Sequence, residues 1–464
     1  MNPLKTRKAP AFLALLAGVL ALWGAGALSA VYAQGDAAGY IVKYKESAAW
    51  MRKDDSLPFD VVSEEEMRRL AAADLLAWYE PDGEMTLLDE PGTPTYAEEK
   101  WDLALIHADA AFEDGFLGQN VCVGILDSGI NPHEEIADRL LAGHNYLTDG
   151  NPADTADNVG HGTSVAGLIT GAGKNGCIGA APGATVVPLK VTDGSGVSVS
   201  TVCRAIYGGI DDYDCDILNM SLGIKSASEA LKEAVDYAEE KGVLIVAAAG
   251  NGGSRAKVYP AAYDTVVGVG AVDEAGKWFY HSNHNDSVFI AAPGSNVKTL
   301  GRYGGYELRS GTSFAVPYVT AAAAVMLSVD GSLSPARIRE ILALTATDKG
   351  DAGYDEYYGT GLLDVESCLS YLTGGACRFY PSSGAASQIK NVTGAQLQGI
   401  YLLAEYAENG ACINVTAYDV TIPPKGTVAI EPPPESTGYG QFILQPATLA
   451  PLTSARKALT NSRK

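Results

Sequence analysis

The 464-residue chain is short of basic residues, and it has only one long apolar run. Its 33 lysines and arginines stand against 55 aspartates and glutamates, which gives a net charge of −22. Because the phosphates of nucleic acids repel so acidic a protein, we expect no nucleic-acid partner. The single apolar run stands at the N-terminus, which excludes a protein that crosses the membrane several times. Apolar residues still make up 47% of the chain, too many for a mostly disordered protein.

Metal-binding patterns are scarce as well. The seven cysteines include no Cys-x-x-Cys pair and the six histidines no His-Glu-x-x-His motif, so we predict no zinc site. Seven cysteines are too sparse for a disulfide scaffold, and the odd number leaves at least one thiol free or paired between chains. Cys122, inside an apolar run, is interpreted as a small buried hydrophobic residue. The bridge that we favour joins Cys377 to Cys412.

The N-terminus has the three parts of a secretory signal peptide. Lys5, Arg7 and Lys8 are followed by the uncharged residues 11–30 and by a Val-Tyr-Ala sequence at 31–33. We predict that residues 1–33 are cleaved, and an anchor that stays uncleaved is the alternative. No second apolar segment follows, so after cleavage we expect a monomer that is secreted, extracellular and not attached to a membrane.

Three regions follow the signal. Residues 34–96 have the pattern of a small α+β unit, with a strand at 40–44, a helix at about 64–76 and a further strand at 85–88, before a linker at 89–94 that contains two prolines and a glycine. Residues 97–372 alternate short β-branched runs with alanine-rich helical patterns, which indicates an α/β domain with a doubly wound, mostly parallel sheet. Residues 373–464 return to a β-like pattern and are predicted to form a small β domain. In the middle region we predict strands at 121–126, 185–191, 217–220, 243–248 and 266–269, and helices at 163–170, 199–210, 228–241, 314–327 and 334–344.

Four polar residues stand at the ends of these predicted elements. Asp127 ends a buried strand, His161 and Ser313 begin helices, and Asn251 follows a strand on a glycine-rich loop. An acid that orients an imidazole, an imidazole that takes a proton and a hydroxyl that attacks are what nucleophilic acyl transfer requires. An asparagine amide can donate to the oxyanion. Each residue alone has a structural alternative, as a helix cap or a turn residue, and only their joint occurrence indicates catalysis.

With these motifs the chain resembles the subtilisin-like serine proteases, in which the residues also occur in the order Asp, His, Ser. The resemblance covers residues 97–372. It is carried by the Asp-Ser-Gly at 127–129, the His-Gly-Thr at 161–163 and the Gly-Thr-Ser at 311–313, with Ser-Leu-Gly at 221–223, Ala-Gly-Asn at 249–251 and Ala-Pro-Gly at 292–294 between them. The resemblance therefore implies a fold of the subtilisin type.

The resemblance also implies roles for single residues. Asp127 would orient, His161 would act as the general base, Ser313 would attack, and Asn251 with the Ser313 N–H would bind the oxyanion. The substrate would lie as an extended strand between two segments of the enzyme. The implied pocket walls are Ser221, Leu222 and Gly223 on one side and Ala248, Ala249 and Gly250 on the other, and the implied second segment is Gly194, Ser195 and Gly196.

Two further implications concern specificity and calcium. Val258 would narrow the pocket for the residue before the scissile bond, and Arg255 and Lys257 nearby suggest a preference for an acidic or polar residue there. No cofactor takes part in the chemistry. The loop at 171–177 corresponds to a calcium loop of the family, but it is one residue shorter and carries Lys174, so its sequence does not support structural calcium even with Glu135 as an acidic ligand.

The resemblance extends more loosely to residues 34–96, which would be an inhibitory prodomain, cut off by the enzyme somewhere in 89–100. We therefore predict a secreted serine endopeptidase that acts on polypeptides and processes its own precursor. Two alternatives remain at this stage. One is a processing protease for a single partner held by the C-terminal β domain, and the other is an inactive binding protein with the shape of a protease.

Overall fold

A computed structural model describes residues 39–53, 57–88, 100–147 and 150–373, and beyond these the backbone of the C-terminal strands. The predicted signal peptide and the linker from 89 to 99 lie outside the described residues. The same holds for the side chains of Cys377 and Cys412.

The N-terminal unit is a three-stranded antiparallel sheet covered by one helix. The sheet has the order β2-β1-β3, and the helix α1 is capped by the Ser63 hydroxyl. Helix α1 ends four residues earlier than predicted, because the chain must turn back to enter β3. The elements are β1 (Tyr40–Tyr44), a 3₁₀ helix (Glu46–Met51), β2 (Asp60–Val62), α1 (Glu64–Ala72) and β3 (Leu76–Pro81).

A seven-stranded parallel sheet forms the centre of the large domain, in the order β13-β12-β11-β9-β5-β7-β6. Its longer strands are mostly apolar because helices cover both faces, and each face has its own apolar core. The strands are β5 (Cys122–Asp127), β6 (His144–Asn145), β7 (Thr185–Lys190), β9 (Ile217–Met220), β11 (Leu244–Ala248), β12 (Val267–Val272) and β13 (Ile290–Pro293). The prediction for Cys122 was wrong in part, since this residue is only half-buried and its sulfur lies 3.9 Å from that of Cys215.

Helices lie on both faces of this sheet. Three begin at the capping serines Ser198, Ser228 and Ser334. Helix α7 is apolar and long enough to span a membrane, but most of it is buried in the core of the protein. The helices are α2 (Trp101–Leu105), α3 (Asp109–Asp114), α4 (His161–Thr170), α5 (Val199–Asp211), α6 (Glu229–Lys241), α7 (Thr312–Val329), α8 (Pro335–Thr345) and α9 (Val365–Leu372).

Short strands at the edge of the domain hold a segment of the N-terminal unit. Strand β4 (Glu84–Leu87), predicted as part of the small α+β unit, pairs instead with β8 (Val197–Ser198) and β10 (Leu222–Gly223) of the large domain, antiparallel to both. A hairpin of β14 (Val297–Leu300) and β15 (Tyr306–Arg309) precedes α7. This segment places Leu88 beside the first turn of α7, where the Ser313 N–H donates to its carbonyl oxygen over 3.3 Å.

The C-terminal region contains antiparallel strands, in agreement with its predicted β-like pattern. Two sheets are formed, with the orders β16-β17-β20 and β19-β18-β21-β22. The strands are β16 (Cys377–Pro381), β17 (Ser387–Asn391), β18 (Leu397–Tyr406), β19 (Cys412–Ile422), β20 (Thr427–Ile430), β21 (Gly438–Leu444) and β22 (Arg456–Leu459).

Candidate active site

Asp127 is the last residue of β5, so its carboxylate lies at the carboxyl edge of the parallel sheet. The first turn of α4 approaches this edge very closely. A Cβ on Gly162 would lie 2.2 Å from the carbonyl oxygen of Gly129, so only glycine allows the contact. The close approach brings His161, the first residue of α4, against the carboxylate.

The Asp127 carboxylate and the His161 ring form a buried pair. His161 Nδ1 lies 2.9 Å from both carboxylate oxygens, and the Ser128 N–H donates to Asp127 Oδ1 over 2.7 Å. Both side chains are 0% exposed. Because Nδ1 is held by the carboxylate, the ring presents Nε2 on its opposite edge, which is the arrangement a general base requires.

Sequence reasoning missed Asp157, which holds the start of α4 in place. Its carboxylate accepts from the N–H groups of Val159, Gly160 and Thr163, at 2.7–2.9 Å, and from the Ser128 hydroxyl at 2.8 Å. Burial alone would raise the pKa of Asp157, but the hydrogen bonds from Thr163, Gly160 and Ser128 outweigh it and lower the pKa. The N-cap position of α4 is held by Gly160, so no standard capping pattern in the sequence marks Asp157.

Ser313 is the second residue of α7, and the residue after it contacts His161. The ring of the following residue, Phe314, packs against the His161 ring with the centroids 5.1 Å apart. Ser313 Oγ donates to the carbonyl oxygen of Leu88 and lies 3.0 Å from that of Ser221. Ser221 in turn donates its hydroxyl to the Ser313 carbonyl over 2.8 Å, which fixes the first turn of α7.

Asn251 is oriented by α7. Its Oδ1 accepts from the N–H and the hydroxyl of Thr312, both over 2.9 Å, so Nδ2 points away from the helix. Nδ2 donates to the Leu88 carbonyl oxygen over 2.7 Å, and the Ser313 N–H donates to the same oxygen over 3.3 Å. Two donors therefore converge on one carbonyl oxygen, as they would on the oxyanion of an acyl-transfer intermediate.

The occupant of this site is the chain itself. Leu222 and Gly223 pair with Leu87 and Thr86, and the Leu88 N–H donates to the Ser221 carbonyl over 3.2 Å. The implied wall at Ser221, Leu222 and Gly223 thus contacts β4 as a neighbouring strand would.

The second segment beside β4 differs from the expectation. The pairing residues are Val197 and Ser198, not Gly194, Ser195 and Gly196. Gly194 and Gly196 have φ values of +100° and +97°, which lie outside the range of a strand. These residues form a turn instead, and a Cβ on Gly196 would collide with the Glu84 carboxylate.

Val258 packs against two glycines, one of which Leu88 also approaches. A Cβ on Gly223 would lie 2.3 Å from Val258 Cγ1 and 3.4 Å from Leu88 Cδ1, and a Cβ on Gly250 would lie 2.7 Å from Val258 Cγ2. Val258 therefore fills the space between Gly223 and Gly250. Ala248 and Ala249 are buried behind the Gly250 wall.

The expectation that Arg255 and Lys257 attract an acidic substrate residue is not supported by the structure. Arg255 forms an ion pair with Glu356, and Lys257 forms one with Asp286 over 2.8 Å. Both cations therefore already have carboxylate partners.

Carboxylates of the N-terminal unit attach it to the large domain. Glu80, which is 4% exposed, accepts from the Ser228 hydroxyl over 2.6 Å and from the N–H groups of Glu229 and Ala230 at the start of α6. Asp82 accepts from the N–H and hydroxyl of Ser200 at the start of α5. Helix N-termini favour negative charge, so both contacts stabilise the association. Sequence reasoning missed these two carboxylates, and no local pattern marks them.

Known proteins resemble the large domain. The sequence profile of the subtilase family matches residues 118–361. Subtilisin DY from Bacillus licheniformis is 39% identical over 278 residues, which cover 57% of this chain and 96% of that protein. Subtilisin Savinase from Lederbergia lenta is 36% identical over 270 residues, or 58% of this chain and 97% of that protein. An alkaline protease from Alkalihalobacillus alcalophilus is 34% identical over 309 residues, or 66% of this chain and 77% of that protein.

Proposed function

The chain belongs to the subtilase family and is a serine-type endopeptidase. We propose that it is exported as a precursor and cuts itself between Leu88 and Asp89. The catalytic groups in this proposal are Asp127, His161 and Ser313. Residues 1–33 are the signal peptide, residues 34–88 the prodomain, residues 97–372 the peptidase domain and residues 373–464 a C-terminal β module.

The reaction is the acyl transfer typical of an Asp, His and Ser site. Ser313 Oγ attacks the carbonyl carbon while His161 Nε2 takes the hydroxyl proton, and Asp127 stabilises the imidazolium that forms. The oxyanion receives hydrogen bonds from Asn251 Nδ2 and from the Ser313 N–H. His161 then gives its proton to the leaving amine. Water attacks the acyl-enzyme on Ser313 in a second round of the same steps and releases the acid. No cofactor takes part.

One observation carries the proposal: the Leu88 carbonyl oxygen lies between the Asn251 amide and the Ser313 N–H, with Ser313 Oγ beside it. A carbonyl at this point belongs to the bond that the serine attacks. The bond on its carboxyl side joins Leu88 to Asp89. This junction lies at the N-terminal edge of the region 89–100 in which the sequence led us to expect the cut.

The prodomain acts as an inhibitor until it leaves. With β4 in place, Asp127, His161 and Ser313 are all 0% exposed, so no other substrate can reach them. Cutting after Leu88 does not by itself remove the strand pairing of β4 or the contacts of Glu80 and Asp82 with the two helices. The cleaved prodomain is thus its enzyme's first bound partner, and activity follows its release.

The contacts of β4 also describe the class of polypeptide substrate. An extended strand with an aliphatic residue of the size of leucine before the scissile bond fits the pocket that Val258 closes. The fourth residue before that bond is large and apolar, because Met85 is 0% exposed among the apolar residues beside β8 and β10. The third residue, Thr86, is exposed and carries little selectivity.

The intact mass of the secreted protein tests this function, with the wild type measured beside Ser313→Ala. We expect the wild type to begin at Asp89 and Ser313→Ala to retain residues 34–88. Loss of the prodomain from both proteins, or from neither, contradicts self-processing. A wild-type N-terminus other than Asp89 contradicts the assignment of the bond while leaving self-processing intact. Labelling of the wild type, but not of Ser313→Ala, by a serine-directed probe separately tests whether Ser313 is the nucleophile.

A further inference from the structure

The loop after helix α4, residues 171–177, closes around a buried carboxylate. Glu135 is 1% exposed, and its Oε2 accepts from the Lys174 N–H over 2.7 Å. Its Oε1 accepts from the Asn175 N–H over 2.7 Å and from the Tyr306 hydroxyl over 2.8 Å, with the Cys177 N–H at 3.4 Å. Although burial would raise the pKa of Glu135, the bonds from Asn175, Tyr306 and Lys174 lower it, so this carboxylate is charged.

The donors around Glu135 do not fit a calcium ion, which the resemblance to the family implies for this loop. Calcium takes six to eight oxygen ligands, among them carbonyl and carboxylate oxygens that point inward. Here three backbone N–H groups point inward, and they make a site for an anion. Gly173 and Gly176, with φ values of +72° and +138°, give the loop the turns that this orientation requires.

Two lysines add positive charge beside this loop. Lys174 Nζ donates to the Glu134 carbonyl over 3.1 Å and to the Asp138 carboxylate over 2.9 Å. Lys298 Nζ lies 5.0 Å from the centre of the Tyr306 ring and would lie 3.2 Å from a Cβ on Gly176. The Lys174–Asp138 pair is exposed and contributes little stability by itself. Its relevance is that Lys174 already neutralises an acidic side chain at the mouth of the loop.

Glu135 connects the three parts of the chain that lead to the candidate catalytic residues. It stands eight residues after Asp127, its loop directly follows the helix that begins with His161, and Tyr306 lies on β15, ahead of Ser313. The Glu135 backbone carbonyl also accepts from the Ala172 N–H over 2.8 Å. A single buried residue thus links the loop at 171–177 to β15.

We propose that the Glu135 carboxylate, held by the amides of residues 174, 175 and 177, closes this loop in place of a calcium ion, so that the loop is ordered without metal. The positive charges of Lys174 and Lys298 and the inward-pointing N–H groups of the loop both favour a carboxylate over a cation at this place. The proposal concerns only the loop at 171–177, and it does not depend on the identity of the scissile bond.

Hydrogen exchange of the loop amides, followed by mass spectrometry, tests the proposal on the full-length Ser313→Ala protein, which avoids self-digestion. The protein is stripped with a chelator and then measured with and without added calcium chloride. We expect a peptide covering 171–177 to be equally protected in both conditions. In a Glu135→Gln variant we expect faster exchange of the same peptide, because the Lys174 N–H loses its acceptor, and calcium should not restore the protection.

Glu134→Gln is the matched control, since Glu134 is the exposed neighbour and contacts the loop only through its backbone carbonyl. We expect it to exchange like the parent. If Glu135→Gln fails to fold, Tyr306→Phe removes a single bond to Oε1 and should raise the exchange of the loop by a smaller factor. Slower exchange of 171–177 on addition of calcium to the parent protein would overturn the proposal. So would a Glu135→Gln or Tyr306→Phe loop that exchanges like that of the Glu134→Gln control.

Discussion

If leucine is the residue that the site takes before the scissile bond, as we propose, replacing Val258 by glycine should shift this preference to aromatic residues. The valine occupies the space between the Gly223 and Gly250 walls, and its Cγ1 lies against the face of Gly223 that Leu88 Cδ1 also approaches. Val258 is 5% exposed, so its two methyl groups are the floor of the pocket rather than part of its rim. Their removal deepens the pocket without touching Ser313 or Asn251.

The size of the effect follows from apolar area. A leucine substrate loses its contact with the valine, which costs about 1 kcal/mol at roughly 0.8 kcal/mol for each buried methylene. A phenylalanine side chain that enters the deeper pocket gains about 2 kcal/mol, since full burial of such a side chain contributes ~1.5–3 kcal/mol. The difference in activation free energy between the two substrates should therefore change by about 3 kcal/mol in favour of phenylalanine. At 1.4 kcal/mol per factor of ten, the ratio of kcat/KM for phenylalanine over leucine should rise roughly 100-fold.

The assay compares kcat/KM of the mature wild-type and Val258→Gly enzymes on two peptides that carry Met-Thr-Leu followed by leucine or phenylalanine. Val258→Ala should give an intermediate ratio. A second pair of peptides, which differ only at the threonine position, serves as the control. Its ratio of kcat/KM should be the same for all three enzymes, because the side chain of Thr86 is exposed. A ratio that does not change in Val258→Gly, with the thermal midpoint preserved, would refute the assignment of the pocket.

Three further predictions follow from buried carboxylates. Glu80→Gln removes a charge from a helix N-terminus, so the cleaved prodomain should dissociate about tenfold faster. The lag before full activity should then become shorter, and an unchanged lag would contradict this role of Glu80. Asp157→Asn should lower the free energy of unfolding of the Ser313→Ala protein by about 2 kcal/mol at neutral pH. Folding lowers the pKa of Asp157, so the stability difference between the two proteins should be fully present above the unfolded-state pKa of ~3.9 and should shrink as the pH falls below that value. A difference in urea titrations that stays constant with pH would contradict the stabilising role of the Asp157 charge. Tyr318→Phe removes the hydroxyl donor of the buried Asp102, which keeps a backbone donor at Leu103, and should cost about 1–3 kcal/mol in the same titrations. A neutral effect would show that the bond contributes nothing.

Much of the large domain could be predicted from the sequence because its signals are local. Each predicted strand of the parallel sheet is found with its ends shifted by at most three residues, since an apolar β-branched run is a property of neighbouring positions. The same holds for the candidate site. Asp127 after a strand, His161 and Ser313 at helix starts and Asn251 on a glycine loop are all placed by the ends of elements, and these ends meet at one edge of the sheet.

The parts that could not be predicted depend on residues far apart in the chain. Arg255 was expected to act on the substrate, and only the fold brings Glu356 to it. The strand beside β4 lies at Val197 and Ser198 rather than at 194–196, because the positive φ values of two glycines in the folded loop form a turn there. The bonds of Glu135 likewise depend on two distant segments, the loop at 171–177 and the strand that carries Tyr306, and only the fold brings these to it.

The chemistry that this protein performs could be predicted from the sequence, because it depends on residue types, on their order and on the elements that carry them. The bond that lies in the site and the strand that covers it could not be predicted, because both depend on contacts between distant segments. The Leu88 carbonyl reaches the Asn251 amide because β4 leaves its own unit and pairs with β8 and β10. Strand pairing of this kind is set by which edges of the folded domain remain open, and that is a property of the assembled sheet rather than of any stretch of sequence.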